Sequence, residues 1–204
     1  MPVSPRPSAS ALTVLSLLNA GPLHPYGMQR LIKLWGKDQV VNIGQRANLY
    51  KTIKRLHEAG LIAVRHTERD QQYPERTVYE LTDEGRRVGV EWLRDMLRTA
   101  RNEFPEFPAA LSFAMLLGPA DTCTALEQRE TQVRARLSEL DKELEGDEAE
   151  LPRVTVLETE YQRAVLAAEA DWLAAVVADL RSSKLTWSKE MLESFAANWG
   201  PGKS

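Results

Sequence analysis

Residues 44–83, GQRANLYKTIKRLHEAGLIAVRHTERDQQYPERTVYELTD, constrain the fold more than any other stretch of this 204-residue chain. Leu49, Ile53 and Leu56 recur at i, i+4 and i+7 and so share one face of a helix. Arg46, Asn48, Lys51, Lys54 and Arg55 lie mostly off that face. Gly60 follows where a helix can end with a positive φ and turn at once into a strand. The residues after it predict strands near 61–67 and 76–82, joined by a polar tip at 68–75 (ERDQQYPE). A short basic helix, a glycine stop and a two-stranded ribbon, in that order, predict a helix-turn-helix recognition helix followed by a β-wing. Such an arrangement suits double-stranded DNA. The helix alone also reads as a solvated basic helix beside an ordinary hairpin; the attached wing favours DNA.

The flanking segments extend this pattern. Residues 9–19 (ASALTVLSLLN) predict an apolar helix, with Leu12, Leu15 and Leu18 at helical spacing. GPLHP (21–25) breaks it, and Pro25 suits the first turn of a second helix marked by Tyr26, Met28, Leu31, Ile32 and Trp35 and ending near Gly36. The third helix is expected over 44–59. Thr82 and Asp83 then open a helix to about 102 that carries Val88, Trp92, Leu93, Met96 and Leu97.

Two prolines in EFPEFP (103–108) mark a boundary, and the apolar run 109–117 (AALSFAMLL) predicts a short buried helix. From 120 to 145, Leu126, Val133, Leu137, Leu140 and Leu144 form a coiled-coil-like stripe on a charged helix. An acidic turn at 146–152 leads to a second long helix, 153–183. It carries Leu157, Tyr161, Val165, Ala168, Trp172, Val176 and Leu180 along one face. A last short helix holds Trp187, Leu192, Phe195 and Trp199.

The expected fold is therefore mainly α with a small β-wing. It comprises a disordered arm (1–8), a winged helix-turn-helix domain (9–102), a helical dimerisation domain (103–199) built on an antiparallel hairpin, and a tail (200–204). Each long helix carries one apolar stripe, so a second copy of the chain is the expected partner. A symmetric dimer would present two recognition helices to a palindrome.

The net charge of −3 hides an asymmetry. Residues 1–100 hold 15 Lys and Arg against 10 Asp and Glu, a net +5, whereas the remainder holds 11 against 19, a net −8. Only the front half is suited to a polyanion. No apolar run approaches the ~20 residues of a membrane helix, and MPVSPRPSAS lacks the apolar core of a secretory signal, so a cytoplasmic protein is expected. Cys123 is the single cysteine, and His24, His57 and His66 are scattered, which leaves no expected metal site or cofactor. Catalysis is not expected either: no Ser/His/Asp, Cys/His or paired-carboxylate set emerges, and Glu158, Glu160 and Glu169 read as solvated helix faces.

Three segments of the front half carry a resemblance. GPLHPYG (21–27) resembles the helix 1–2 junction of PadR-family transcriptional regulators, and NLYKTIKRLHEAGLI (48–62) resembles that family's recognition helix. PERTVYELTDEG (74–85) is similar to its wing strand, with Arg76, Tyr79, Leu81, Thr82 and Gly85 in place. Further on, Tyr161, AEADWL (168–173) and LTW (185–187) resemble the helical dimerisation domain of the longer subgroup. The resemblance implies a homodimeric winged-helix regulator, usually a repressor, sometimes released by a phenolic acid or a planar hydrophobic drug. The chain departs from the common pattern at Pro25 and Gly27, where relatives often carry Gly and an acidic residue, and its wing is less basic than many.

Candidate site residues follow. Arg46 and Asn48 lie in the first turn of the recognition helix, where Arg matches guanine and Asn matches adenine; contact with the backbone alone is the other reading. Lys51, Lys54 and Arg55 suit phosphates. Tyr50 is read as a DNA contact from the resemblance, with packing against helix 2 as the alternative. Arg69 and Arg76 bracket the wing tip and are placed to reach the minor groove or its phosphates, although Arg76 could instead pair with Glu75. The tryptophans at helical spacing read first as core, and Trp35 and Trp92 are the candidate effector residues beside that reading. Leu137, Leu140, Tyr161, Trp172, Val176 and Trp187 are the candidate dimer interface. Two alternatives stand beside this reading: a winged-helix module that binds protein, and a MarR-like dimer, which builds its interface from both termini.

Overall fold

The computed structural model describes residues 6–37, 40–41, 46–70, 73–146 and 151–199, with side chains for all of these except 46, 68–70, 73–76 and 195–199. The chain divides into two compact units, Met1–Asn102 and Glu103–Ser204.

In the first unit, α1 (Ala9–Ala20) begins at Ser8, whose Oγ accepts the Ala11 N–H at 3.2 Å. Ser8, expected in a disordered arm, is the N-cap that satisfies an otherwise orphaned donor of α1. Pro25 opens α2 (Pro25–Leu34), and His24 caps it through Nδ1, which accepts the Gly27 N–H at 2.8 Å. The predicted break before it does more than separate two helices, because Leu23 exchanges both backbone hydrogen bonds with Tyr79, each 3.0 Å.

Helix α3 (Arg46–Glu58) buries Leu49, Ile53 and Leu56 against α1 and α2 in one core with Val14, Leu15, Met28 and Ile32. Its end is a Schellman closure: Gly60 at φ +72° donates to the His57 carbonyl at 2.9 Å, and Leu61 donates to the Leu56 carbonyl at 3.0 Å. Strands β1 (Ile62–Asp70) and β2 (Tyr73–Leu81) then pair antiparallel, with Ile62 opposite Leu81 and Asp70 opposite Tyr73. The ribbon is longer than predicted, since residues 68–70 and 73–75, expected in the tip, are strand. The register pairs Thr67 with Thr77 and Glu68 with Arg76, a hydroxyl pair and an opposite-charge pair of the kinds that support a ladder.

Helix α4 (Asp83–Arg98) is locked to the start of the wing. Thr82 Oγ1 accepts the Gly85 N–H at 3.0 Å, and its hydroxyl faces the carbonyls of Gly60 (2.9 Å) and Leu61 (3.0 Å). A Cβ on Gly85 would stand 1.9 Å from the Leu61 carbonyl oxygen, so backbone meets backbone here and no larger residue fits. The helix stops four residues short of the predicted 102. Asp95 draws in the side chains of Arg98, Thr99 and Arg101, and Thr99 turns extended.

In the second unit, α5 (Glu106–Leu111) is followed by a 3-10 turn (Ala114–Leu116), α6 (Pro119–Glu145), a second 3-10 turn (Arg153–Thr155), α7 (Leu157–Arg181) and α8 (Lys189–Trp199). The buried helix predicted at 109–117 is corrected: no residue of α5 is buried, and Phe113, Met115 and Leu116 are exposed. The prolines open the helix instead of ending the previous one. Pro105 is the N-cap and Pro108 sits in the first turn, where N–H groups have no helical acceptor to lose.

The hairpin of α6 and α7 closes on Leu126, Val133, Ala170, Leu173, Val177 and Leu180, with Phe107, Leu111, Leu166 and Trp187 packed against them. Of the face predicted for the second long helix, Leu180 is buried in this core and Val176 half-buried. Leu157 (48%), Tyr161 (70%), Val165 (47%) and Trp172 (44%) are exposed. Arg129 Nε meets Glu169 at 2.6 Å and Arg181 Nε meets Glu127 at 2.8 Å, tying the two helices together. Glu169 is thus a clamp and not the solvated carboxylate expected.

The backbone contact at Gly85 makes Gly85→Ala expensive: a loss of about 3 kcal/mol is expected, read as a lower urea midpoint with an unchanged slope. Truncating the fully buried Leu173 to Ala is expected to cost about 2–5 kcal/mol by the same measurement.

Candidate nucleic-acid interface

The seating of α3 decides what it can present. Leu49, Thr52, Ile53 and Leu56 are buried, and this leaves Asn48, Tyr50, Lys51, Lys54 and Arg55 exposed on the outer side. Lys54 lies 3.8 Å from Glu58, both well exposed, a contact too weak to withhold the ammonium from a phosphate. Arg55 Nη2 donates to Ser8 Oγ at 3.2 Å, so its guanidinium is steadied from the α1 cap, a contact between residues 47 apart that no local pattern revealed. Arg46 is the first residue of α3, and its side chain lies outside the described residues. The same holds for Arg69 in β1 and Arg76 in β2; the register sets Arg76 opposite Glu68.

Two cations were missed in the sequence reading. Arg30 and Lys33 of α2 are exposed, on the helix that precedes the recognition helix and in this motif crosses the DNA backbone. The available signal was charge density: residues 1–58 hold eight Lys and Arg (Arg6, Arg30, Lys33, Lys37, Arg46, Lys51, Lys54, Arg55) against only Asp38 and Glu58.

The other candidates are dispersed. Trp92 is a core residue, 7% exposed, whereas Trp35 is 49% exposed at the end of α2. Among the candidate interface residues, Leu140 (1% exposed) is corrected to the interior of its own chain, and Leu137 and Val176 are half-buried. Trp187 packs on the hairpin core and donates from Nε1 to the Leu117 carbonyl at 3.0 Å. Trp172 stands edge-on to Phe107 at 6.1 Å between ring centroids, and Arg129 lies 3.5 Å above that same Phe107 ring. Tyr161 is fully on the outside.

Neither the cysteine nor the histidines form a reactive site. Burial pushes the Cys123 thiol above its ordinary value, and its hydrogen bond to Glu127 (3.2 Å) adds to the effect. Glu127 is held below the ordinary carboxylate range by that same thiol and by Arg181. His24 is a helix cap, and His57 Nδ1 lies 3.2 Å from the Ile62 carbonyl. Among the described residues, no three His, Cys, Asp or Glu are grouped to hold a metal ion.

Two outcomes are expected from these titrations. Alkylation of Cys123 by iodoacetamide near pH 7.5 should run slower than that of a free thiol, because thiolate is the reacting form. The depressed Glu127 and Glu160 carboxyls contribute stability above their ordinary values, and this is lost as pH falls through their lower folded values. Thermal melts should therefore be level around neutral pH and fall below the ordinary carboxylate range.

Comparison with known proteins bears on this geometry. Residues 14–90 match the model of the family described as "Transcriptional regulator PadR-like family". No curated protein gives a significant match. Among solved structures, Bacillus subtilis PadR in complex with operator DNA aligns with a TM-score of 0.70 at 20% identity, over 85% of this chain and 99% of that one. The Bacillus subtilis protein in complex with p-coumaric acid aligns at 0.60 and 18% identity, over 84% and 94%. The Vibrio cholerae virulence activator AphA aligns at 0.62 and 17%, over 86% and 99%. These likenesses carry the fold through both units. Residues 14–90, which hold the recognition helix and the wing, are thus the part of the chain that matches the PadR-like family of transcriptional regulators.

Proposed function

We propose that the protein binds double-stranded DNA sequence-specifically as a homodimer and represses transcription from a palindromic operator. The observation that carries the DNA reading is the seating of α3. A fully buried apolar stripe fixes the helix in rotation and leaves Asn48, Tyr50, Lys51, Lys54 and Arg55 together on the open side. Arg46 and Asn48, in the first turn, take the base edges, and Tyr50, Lys51, Lys54 and Arg55 take phosphates. Arg69 and Arg76 extend the contact through the wing.

Dimerisation is assigned to residues 103–199, and DNA binding to residues 9–102. The support lies in the outward face of α7. Leu157, Tyr161, Val165 and Trp172 keep helical spacing yet face solvent, a contiguous apolar stripe of the kind that marks an interface. The acidic back half, at −8, is repelled by DNA and free to build the dimer. Two recognition helices about one turn of duplex apart read a palindrome. A dimer seated on an operator that overlaps a promoter represses by occupancy alone. Release by a small hydrophobic or phenolic effector is supported by the p-coumaric acid complex of the Bacillus subtilis protein, with Trp35 the accessible aromatic and Trp92 buried. The protein is proposed to work in the cytoplasm; among the described residues no helix is long and apolar enough to cross a membrane.

The test is a titration of the protein against duplexes from its own upstream region and a shuffled control. Selective binding should weaken steeply with salt, by about 10³–10⁵-fold between 50 and 200 mM if 6–10 phosphates are contacted. The Tyr50→Ala/Lys51→Ala double variant should bind at least about tenfold more weakly with an unchanged melting temperature, a loss of ~1.4 kcal/mol or more. Full-strength binding by that folded variant sinks the assignment of α3. Partner binding insensitive to salt, with no duplex selected, would point to a protein-binding winged helix. For the dimer, Tyr161→Glu/Val165→Glu should give a folded monomer in sedimentation; an intact dimer moves the interface elsewhere.

A further inference from the structure

Arg55 is held differently from the lysines beside it on α3. Lys51 and Lys54 stand exposed on long flexible stems, and Lys54 lies 3.8 Å from Glu58 of its own helix. Arg55, near the end of α3, is reached from another element: Ser8 Oγ, at the start of α1, accepts Arg55 Nη2 at 3.2 Å. The same oxygen accepts the Ala11 N–H at 3.2 Å and so caps α1. One hydroxyl therefore spends both its lone pairs, one on each helix.

Two properties of this contact bear on a phosphate. The first is that the acceptor is neutral. Aspartate would cap α1 as well as serine does, but its charge would cancel that of the guanidinium. Among the described residues Arg55 has no ion pair, and Glu58 lies against Lys54 instead. The second property is economy of donors. A guanidinium carries five N–H groups in a fixed fork, and the bond to Ser8 uses one of them. Enough remain for a bidentate hold on a phosphate. A side chain that is already ordered also loses less freedom when it binds.

We infer that Ser8 is a positioning residue for DNA binding: it orders the Arg55 guanidinium on the open side of α3, where the free N–H groups meet a backbone phosphate. The inference rests on the reading of α3 as the recognition helix, and adds to it a residue of another element that sets its affinity. A phosphate contact carries no sequence information, so Ser8 acts alike on selected and unselected duplexes.

The experiment titrates the full-length protein against duplexes from its own upstream region and a shuffled control, over a range of salt. Ser8→Gly removes the acceptor yet keeps most of the cap, because glycine costs a helix little at that position. It should melt near the parent and bind every duplex about fivefold more weakly, the worth of one hydrogen bond. Its salt slope should not change, since the charge is still present. Arg55→Gln should instead flatten the slope by about 0.9, the share of one phosphate. Adding Ser8→Gly to Arg55→Gln should weaken binding no further, and Ser8→Thr, which keeps the hydroxyl, should bind as the parent does. The inference is overturned if Ser8→Gly weakens binding equally with and without Arg55, which would make its effect a matter of α1 alone. A parent that binds while Ser8→Gly changes nothing overturns this inference and leaves the reading of α3 standing. A parent that binds no duplex even at low salt overturns both.

Discussion

The first unit depends on a backbone-to-backbone contact. Gly85 brings the first turn of α4 against the Leu61 carbonyl, and Thr82 reaches back from the end of β2 to Gly60 and Leu61. Four elements meet there: the closure of α3, the start of β1, the end of β2 and the cap of α4. A recognition helix is useful only if its rotation and its angle to the wing are held, since a hydrogen bond to a base edge tolerates little misplacement. The Schellman closure at Gly60 holds the exit of α3, Leu49, Ile53 and Leu56 hold its rotation, and the Thr82 junction fixes the wing to both. The bridge between Leu23 and Tyr79 adds a second tie from the loop before α2.

The second unit solves a different problem, because its long helices need a closed intrachain core and still retain an apolar surface. Helix α7 divides the task between its faces. Ala170, Leu173, Val177 and Leu180 close on α6, and Leu157, Tyr161, Val165 and Trp172 point away. The ion pairs of Arg129 with Glu169 and Arg181 with Glu127 are partly exposed, so they add register more than stability. The apolar core does the holding.

Where the pattern was legible, a single answer existed. On α3 the apolar residues are few and the rest is polar, so only one rotation buries Leu49, Ile53 and Leu56. The caps at Pro25 and Thr82 and the stop at Gly60 were legible for the same reason: each residue type suits one backbone need. On α7 apolar residues occur on nearly every side, and periodicity alone could not choose the face turned to α6. Leu140 went astray likewise, because a coiled-coil stripe does not state whether its partner is the same chain. The wing is longer than its polar tip suggests, because strand pairing is carried by the backbone and polar side chains do not by themselves end a ladder.

The sequence by itself determined the order of elements, the basic recognition helix, the family model that residues 14–90 match, and the division of charge between the halves. These follow from spacing, capping chemistry and composition, all local along the chain. Only the tertiary structure decided why Gly85 must be glycine and that Arg55 leans on Ser8. It alone showed which face of α7 remains open. Each of these depends on atoms brought together from distant positions, and distance in space is what local pattern does not encode.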